Sequence, residues 1–215
     1  MTYFQIRRVR SEVRWALRLW STGFVLAARH ITNVRYRLEG LEKLPDRPVI
    51  FVGNHQSYWE SIAFTCFVPN INVVTWSRVM DIPIFGWGLR EAPMIPVHRD
   101  QPGANLRKIV RETRANLAEG RSILFFPEGH RVRPGLTLPY QRGLGVMYAA
   151  ADAWIVPVVN NAALSWADGF RVKPGGEITI RFLDPIPPGG NPSQTARELE
   201  VLLNTEKDRL PGTAG

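Results

Sequence analysis

Residues 51–64 read FVGNHQSYWESIAF, and this stretch decides how the rest of the chain is interpreted. Its first residues complete the apolar run VIFV, and the turn that follows holds His55, Ser57 and Glu60. A serine followed three residues later by a glutamate forms a capping box, which marks the start of a helix. The stretch therefore predicts a strand, a turn and a helix, with a histidine placed in the turn.

Similar apolar runs recur along the chain and alternate with helical patterns. The runs cover residues 49–52, 73–76, 122–126 and 155–159, and the helical patterns cover residues 106–117 and 192–210. Short β-rich runs of this kind are typical of strands that are buried on both faces. The alternation predicts an α/β fold with a mostly parallel central sheet flanked by helices. Residues 177–183, EITIRFL, predict a further strand with a solvated face.

The composition limits the class of protein. The chain has 215 residues, of which 45% are hydrophobic and 21% are charged, and this favours one globular fold over a disordered chain. Cys66 is the sole cysteine, so an internal disulfide is impossible and a reducing compartment is expected. Because Cys66 lies in the apolar stretch SIAFTCFV, we expect it to pack rather than to react.

The net charge of +8 is concentrated near the N-terminus. Residues 1–37 contain eight arginines and one glutamate, whereas the rest of the chain contains 19 bases and 18 acids. An apolar stripe at helical spacing runs through Ile6, Val9, Val13, Ala16, Leu17, Trp20, Phe24 and Ala27, with Arg7, Arg10, Arg14 and Arg18 on the opposite face. We therefore expect residues 1–35 to form an amphipathic, membrane-binding helix or a helix pair divided near residues 21–23. Residues 36–215 are expected to form the α/β domain.

Two interpretations of this segment stay open. In the first, the helix lies in an anionic membrane surface, where each basic residue contributes about 1 kcal/mol of attraction. In the second, the helix packs against its own domain and its arginines are solvated. Binding to nucleic acid is disfavoured, because no signature of a nucleic-acid-binding fold follows. The longest uncharged stretch within residues 1–37, residues 19–28, is too short to cross a bilayer, which needs about 20 residues.

His55 and Glu60 are candidates for a paired base and acid. On a regular helix, side chains five residues apart point roughly 140° away from each other, so the two meet only if His55 lies in the turn. Glu60 would then hold one ring nitrogen and leave the other to act as a base. The chain has no G-x-S-x-G nucleophile motif, so this base would act on a hydroxyl that the substrate brings. A capping box explains Ser57 and Glu60 without catalysis, and that alternative stays open.

A second polar stretch, PEGHR, follows the run SILFF and holds Glu128, Gly129 and Arg131. Arg99, in the stretch MIPVHRD, adds another guanidinium. Two arginines near a histidine base favour an anionic substrate, because guanidinium binds phosphate with two hydrogen bonds. Residues of the types that bind metal are His55, Glu60, His98, Asp100, Glu128 and His130. None of them forms a compact pair such as H-E-x-x-H, so no metal site is expected.

Four short motifs occur in order along the chain. They are N-H-x4-acid at His55 and Glu60, I-P-x-x-R ending at Arg99, F-P-E-G-x-R at residues 126–131, and V-P-V at residues 156–158. Through them the chain, from about residue 36 to residue 210, resembles the bacterial 1-acylglycerol-3-phosphate acyltransferases. These lysophosphatidic acid acyltransferases belong to the lysophospholipid acyltransferase family.

The resemblance implies transfer of a fatty acyl group from a thioester to the free hydroxyl of 1-acylglycerol 3-phosphate, which makes phosphatidic acid for phospholipid synthesis. His55 would be the general base and Glu60 would orient it, while Arg99, Glu128, Gly129 and Arg131 would position the glycerol phosphate. Backbone N–H groups at the start of the following helix would stabilise the oxyanion.

The resemblance also implies the surroundings of the reaction. The donor would be acyl-CoA or an acylated acyl carrier protein, used as a co-substrate, with no cofactor and no metal. The expected partners are membrane lipids and the carrier of the thioester. The protein would be peripheral or monotopic on the cytoplasmic face of the bacterial inner membrane.

The chain also departs from the family pattern. Most members have aspartate where Glu60 stands, threonine or serine where His130 stands, and often aspartate where His98 stands. These departures bear on the choice of substrate rather than on the class of reaction. Two alternatives therefore stay open: an acyltransferase acting on another lysolipid, such as lyso-ornithine lipid, and a membrane lipid-binding module without catalysis.

Overall fold

The strand, turn and helix predicted around residue 55 are present in the structure. The computed structural model describes residues 3–81, 94–98, 102–141, 143–167 and 171–213, and the side chains of residues 3–11 and 102 lie outside that description. The helices of this part are α1 (Tyr3–Ile31), α2 (Tyr58–Phe67), α3 (Pro102–Ala118), α4 (Gly143–Ala151) and α5 (Pro192–Asp208). Short 3₁₀ turns lie at Leu41–Lys43, Ser77–Asp81 and Ala162–Leu164.

The strands form one sheet. They are β1 (Arg35–Glu39), β2 (Ile50–Gly53), β3 (Ile71–Trp76), β4 (Ile95–Val97), β5 (Ser122–Phe125), β6 (Ile155–Asn160) and β7 (Glu177–Phe182). Their order in the sheet is β1-β7-β6-β2-β5-β3-β4. The pairs are parallel except for β6 and β7, so β1 and β7 run against the other strands. The predicted α/β fold with a mostly parallel sheet is confirmed.

Both faces of the sheet are covered by helices, which explains why its central strands are continuously apolar. Alternate residues of β2 point to opposite faces: Phe51 packs in the core beneath α1 and α2. Ile50 and Val52 pack in a second core with α4 and α5. The polar stretches that follow β2 and β5 leave the sheet at neighbouring carboxyl ends, because these strands are parallel and adjacent.

The solvated face predicted for residues 177–183 is wrong. β7 lies between β1 and β6 rather than at the edge of the sheet, and Ile178, Thr179 and Ile180 are all buried. The Thr179 N–H donates to Asn161 Oδ1 at 2.7 Å. Arg181 is half-buried and forms an ion pair with Glu39, so its charge is neutralised within the fold rather than by solvent alone.

The N-terminal segment forms a single helix rather than a pair. The hydroxyls of Ser21 and Thr22 both donate to the Arg18 carbonyl, so these polar residues are satisfied within the helix. Ser21, Val25 and Ala28 are buried against the body, mainly against α2. Packing of this helix on its own domain, the second open interpretation, is therefore correct for one face. The division of the chain at residue 35 stays a prediction.

The side of α1 that faces away from the body exposes several large apolar side chains. We call it the outer face, and its large residues are Trp15, Leu19, Trp20, Leu26 and Ile31. The predicted apolar stripe is therefore wrong as a single surface, since it combines packed residues such as Leu17 with exposed ones such as Trp20. Arg14 is half-buried and donates to Asn72 Oδ1 at 2.6 Å, so it does not lie on a solvated face. Among the described helices, none has the length and apolar character needed to cross a bilayer.

Candidate active site

His55 and Glu60 meet at the carboxyl end of β2. The two atoms in contact are His55 Nδ1 and Glu60 Oε1, 2.8 Å apart. His55 lies in the turn before α2 and Glu60 lies in the first helical turn, which is the arrangement that the spacing requires. The His55 side chain is 18% exposed and the Glu60 side chain is fully buried. With Nδ1 occupied, Nε2 is the ring nitrogen that can exchange a proton with a substrate.

Glu60 also caps α2. Its Oε1 atom accepts hydrogen bonds from the N–H groups of Gln56 and Ser57, each at 2.8 Å. Ser57 Oγ accepts from the Trp59 N–H in return, and the capping box is complete. The two alternatives from the sequence are therefore both true, since one carboxylate oxygen fixes the helix start and holds the histidine. Glu60 Oε2 is buried and makes no hydrogen bond within the described residues, so Oε1 makes the contacts both to the imidazole and to the helix start.

Three of the backbone N–H groups around the start of α2 are already engaged, so they are not free as oxyanion donors, and the expected oxyanion site stays a prediction. The N–H groups of Gln56 and Ser57 are bound to Glu60, and that of Trp59 is bound to Ser57. The His55 N–H is also occupied, by Glu128 Oε1 at 3.2 Å. The helix cap and the Glu128 contact that position His55 therefore use four of the N–H groups next to it.

The segment from Phe126 to Val132, which we call the PEGHR loop, follows β5 and packs directly against His55. The ring of Phe126 stacks on the imidazole, with centroids 4.2 Å apart and an interplanar angle of 16°. Glu128 accepts from the His55 N–H, and the Val132 N–H donates to the His55 carbonyl at 2.7 Å. The loop therefore holds His55 through its ring and through both of its backbone polar groups. This contact gives Glu128 a positioning role, and its contact with substrate stays a prediction.

In the same loop Gly129 is exposed and Arg131 is half-buried. Gly129 has a φ of 74°, in the left-handed region that favours glycine, so another residue at this position would be strained. The Arg131 guanidinium lies 3.9 Å from the ring centroid of Tyr58, the first residue of α2. The structure thus brings Arg131 to the mouth of the turn that holds His55.

Arg99 lies outside the described residues, so its predicted contact with phosphate stays a prediction. Its neighbour His98 is fixed at the end of β4. The His98 N–H donates to Asn105 Oδ1 at 3.0 Å, and the Asn105 amide donates back to the His98 carbonyl. His98 Nδ1 is also 3.0 Å from Ser77 Oγ.

Two supports of the site were not expected from the sequence. Asn54 and Asn160 bind each other across the ends of β2 and β6, with the Asn54 amide on the Asn160 carbonyl at 2.9 Å and the Asn160 amide on the Asn54 carbonyl at 2.8 Å. Lys207 of α5 is buried and donates to the Leu136 carbonyl at 2.9 Å, which anchors the loop that follows Arg131. The position of Asn54 directly before His55 could have indicated the asparagine pair from the sequence. No local sequence feature indicates the role of Lys207.

A protein-family model described as "Acyltransferase" matches residues 35–161, which is more than half of the chain. The chain belongs to the acyltransferase family. The match contains the His55–Glu60 pair and the PEGHR loop of this acyltransferase chain. The predicted family membership is therefore confirmed.

Several relatives of this acyltransferase chain carry a more specific name. The 1-acyl-sn-glycerol-3-phosphate acyltransferase of Pseudomonas aeruginosa is 28% identical over 171 residues, which are 80% of this chain and 66% of that protein. The protein of the same name from Limnanthes douglasii is 29% identical over 159 residues, 73% of this chain and 56% of that protein. The chain thus spans less than two thirds of the length of either curated relative.

The fold has a solved counterpart. The crystal structure of the 1-acyl-sn-glycerophosphate (LPA) acyltransferase from Thermotoga maritima matches with a TM-score of 0.74 and covers 94% of this chain and 84% of that one. The sequence identity is 20%, so this likeness shows a shared fold.

The metal site weighed from the sequence has no counterpart in the described part of this acyltransferase chain. No group of three histidine, cysteine, aspartate or glutamate side chains there is placed to hold a metal ion. Asp100 lies outside the described residues.

Folding shifts the pKa of Glu128, the residue that accepts from the His55 N–H. Burial raises the pKa of Glu128 from 4.5 to about 7, although the hydrogen bond from the His55 N–H and the charge of Lys207 act in the opposite direction. The folded state therefore binds a proton more tightly than the unfolded chain does. Stability contributed by this residue is present below pH 4.5 and declines as the pH rises to about 7.

Replacing Glu128 by glutamine should remove that pH dependence. The amide oxygen can still accept from the His55 N–H, so the fold is expected to persist. Relative to wild type, the variant should gain about 3 kcal/mol of unfolding free energy between pH 4.5 and pH 8, since each pKa unit corresponds to about 1.4 kcal/mol. Urea denaturation of both proteins across this range measures the difference. A constant difference at all pH values would show that folding does not raise the pKa of Glu128.

Proposed function

We propose that this protein transfers a fatty acyl group from a thioester to the free hydroxyl of 1-acylglycerol 3-phosphate and so makes phosphatidic acid. The observation that carries the proposal is the contact of His55 Nδ1 with Glu60 Oε1 at 2.8 Å. Glu60 fixes the tautomer and stabilises the imidazolium, and Nε2 takes the proton from the acceptor hydroxyl. Ser57, the neighbouring hydroxyl in the chain, is engaged in the helix cap, so the nucleophile comes from the substrate.

The reaction needs no cofactor in this proposal, because the thioester already stores the required free energy. The acceptor hydroxyl attacks the thioester carbonyl, the C–O bond forms, and the C–S bond breaks. The proton that Nε2 accepts passes to the departing thiolate, so that His55 is neutral again at the end of the cycle. The donor is an acylated carrier protein or acyl-CoA.

The phosphate of the acceptor is proposed to bind Arg131 and Arg99, with Gly129 and Glu128 shaping the loop. Arg131 is expected to lower the KM for lysophosphatidic acid through a charge-assisted hydrogen bond of about 1.5–3 kcal/mol. Replacing it by alanine should raise that KM tenfold or more and leave the KM for the donor within about twofold.

Arg133 provides the matched control for this prediction, since it is an exposed arginine two residues further along the same loop. Its replacement by alanine should leave both KM values near wild type. Equal rises for donor and acceptor in the Arg131 variant would show that Arg131 does not recognise the phosphate.

The outer face of α1 is proposed to bind the surface of the cytoplasmic membrane, where acceptor and product reside. Trp15 is 68% exposed and Leu26 is 49% exposed, and such aromatic and aliphatic side chains enter the region between headgroups and acyl chains. The arginines of residues 1–37 add attraction to anionic lipids. The protein is then peripheral or monotopic.

Replacing Trp15 and Leu26 by serine should weaken binding to anionic vesicles at least tenfold without unfolding the protein. Both side chains are exposed, whereas deleting the whole helix would also remove the buried Val25 and Ala28. Val201, which is 67% exposed on α5, is the control, and Val201→Ser should bind vesicles like wild type. Sedimentation with vesicles and a thermal melt measure both properties. Unchanged vesicle binding of the double variant would contradict the proposed membrane face.

An acceptor comparison tests the proposed substrate. Purified protein is given lysophosphatidic acid or lyso-ornithine lipid with the same donor, and kcat/KM is measured for each. The phosphate contacts of Arg131 and Arg99 predict a preference of at least tenfold for lysophosphatidic acid. A preference for lyso-ornithine lipid would be consistent with the proposed acyl transfer but would contradict the proposed acceptor.

A further inference from the structure

An apolar groove bordered by arginines lies between α3 and α4. It encloses about 500 Å³, and its lining residues are Leu106, Arg107, Val110, Arg111, Arg114 and Val146. We call it the arginine groove. Val146 is an exposed valine at 48%, although its neighbours Gly145 and Met147 on α4 are buried. An apolar surface with a charged border is typical of a protein interaction site.

The charge of the arginine groove is strongly positive. Helix α3 contains four basic residues and one acidic residue, Glu112, which is paired with Arg111. Helix α4 contains no charged residue. Arg107, Arg111 and Arg114 follow one another at helical spacing, so they form a row about 10 Å long. A row of this length matches several acidic side chains on a protein surface better than it matches one phosphate group.

The position of the arginine groove separates it from the proposed membrane face. Helices α4 and α5 pack on the side of the sheet opposite α1 and α2, and α3 packs beside α4. A protein that binds the membrane through α1 therefore presents the groove away from the lipid. An occupant of the groove is accordingly a soluble molecule.

The arginine groove is also close to the carboxyl ends of the strands, where His55 lies. Helix α3 begins shortly after β4, and α4 begins shortly after the PEGHR loop, so both helices start at the carboxyl ends of the strands. Leu106 packs against Gly143 at the start of α4, where a Cβ would lie 3.1 Å from the leucine Cδ1. A partner bound in the groove is thus near the carboxyl ends of the strands, on the same side of the molecule as His55.

We propose that the arginine groove binds an acidic, helical acyl carrier protein that brings the thioester. This inference rests on the proposed function and deepens it, because it assigns the donor to a protein rather than to acyl-CoA alone. Acidic side chains of the carrier pair with Arg107, Arg111 and Arg114, and apolar side chains cover Val110 and Val146. The flexible arm that carries the thioester then reaches over the starts of α3 and α4 towards His55.

The double variant Arg107→Glu/Arg114→Glu tests the proposal. Binding is measured by titration with an acyl carrier protein whose acyl group is attached through a non-transferable amide. The dissociation constant should rise at least tenfold at low ionic strength, and the wild-type value should rise with added salt. Arg47→Glu is the control, because Arg47 is an exposed arginine just before the amino end of β2, whereas His55 follows the carboxyl end of that strand. This variant should bind the carrier protein within twofold of wild type.

Kinetics with two donors give the second readout. In the double variant, the KM for the acylated carrier protein should rise at least tenfold, whereas the KM for acyl-CoA should stay within twofold. The unchanged acyl-CoA reaction also shows that the variant is folded.

The proposal is overturned if wild type does not bind the carrier protein, or if the double variant binds it as tightly as wild type does. Equal losses with both donors overturn it as well. If the double variant lost binding to anionic vesicles but still bound the carrier protein, the groove would be a membrane-binding surface and the proposal would be wrong. The titration needs no turnover, so a protein that binds the carrier but makes no phosphatidic acid contradicts the proposed function and leaves the docking surface standing.

Discussion

Replacing His55 by alanine is expected to lower kcat/KM for acyl transfer by roughly 10²- to 10⁴-fold, the contribution typical of a general base. This loss corresponds to about 3–5 kcal/mol of activation free energy. The reason is geometric, because Nδ1 is held 2.8 Å from Glu60 Oε1 and Nε2 is left to accept the proton of the acceptor hydroxyl. Formation of phosphatidic acid from a thioester and lysophosphatidic acid measures the effect.

His130→Ala is the matched control for this prediction. His130 is exposed and lies in the PEGHR loop, close in sequence to Arg131 but without a proposed part in the reaction. Its activity should stay within about twofold of wild type. Thermal melts of both variants should remain cooperative. Residual activity of His55→Ala above about a tenth of wild type would show that another group is the base.

Replacing Glu60 by glutamine should lower kcat by tens- to about a hundredfold while the fold persists. A charge-assisted hydrogen bond contributes about 1.5–3 kcal/mol, and glutamine keeps the hydrogen bond but loses the charge that stabilises the imidazolium. The glutamine side chain can still accept from the Gln56 and Ser57 N–H groups, so the helix cap is largely retained. Single-turnover rates and unfolding free energies of the variant measure the two effects separately.

Ser57→Ala separates the cap from the catalysis. It removes the hydroxyl that accepts from the Trp59 N–H and should cost about 1 kcal/mol of stability. The contact between His55 and Glu60 is untouched, so activity should fall only slightly. If Glu60→Gln kept full activity, Glu60 would be a helix cap alone. If Ser57→Ala lost activity as severely as Glu60→Gln, the cap itself would be what the reaction requires.

The strand, turn and helix around His55 could be predicted because each signal is local. The apolar run VIFV, the capping box and the spacing of His55 and Glu60 all lie within a dozen residues. The contact between His55 and Glu128 could be expected more loosely, since parallel neighbouring strands bring their carboxyl ends together. Its form could not, because the sequence does not show that Glu128 would bind the His55 backbone.

The errors arose where a tertiary neighbour decides the environment. The alternation in residues 177–183 suggested an exposed face, but β7 lies inside the sheet and Arg181 is paired with Glu39. The apolar residues of α1 suggested one stripe, but the helix has a buried face with Val25 and a separate outer face with Trp15. A hydrophobic period shows which residues share a side of a helix, and it cannot show which side meets the domain.

The support from Lys207 illustrates a limit of another kind. Its ammonium group binds the Leu136 carbonyl from a helix that is 71 residues away in sequence. A lysine near the end of a helix is ordinarily solvated or helps to offset the helix dipole, so its sequence context does not distinguish this residue. Only the packing of α5 against the loop after Arg131 makes it part of the site.

The most direct test of the account is to supply purified protein with lysophosphatidic acid and an acylated carrier protein or acyl-CoA and to detect phosphatidic acid by mass spectrometry. Wild type should produce phosphatidic acid with at least one donor, with the acyl group of that donor attached to the formerly free hydroxyl. His55→Ala should produce about a hundredth of that amount or less, in line with the loss of a general base. Absence of product from folded wild-type protein with both donors, or equal product from His55→Ala, would contradict the claim that this strand-end histidine drives acyl transfer.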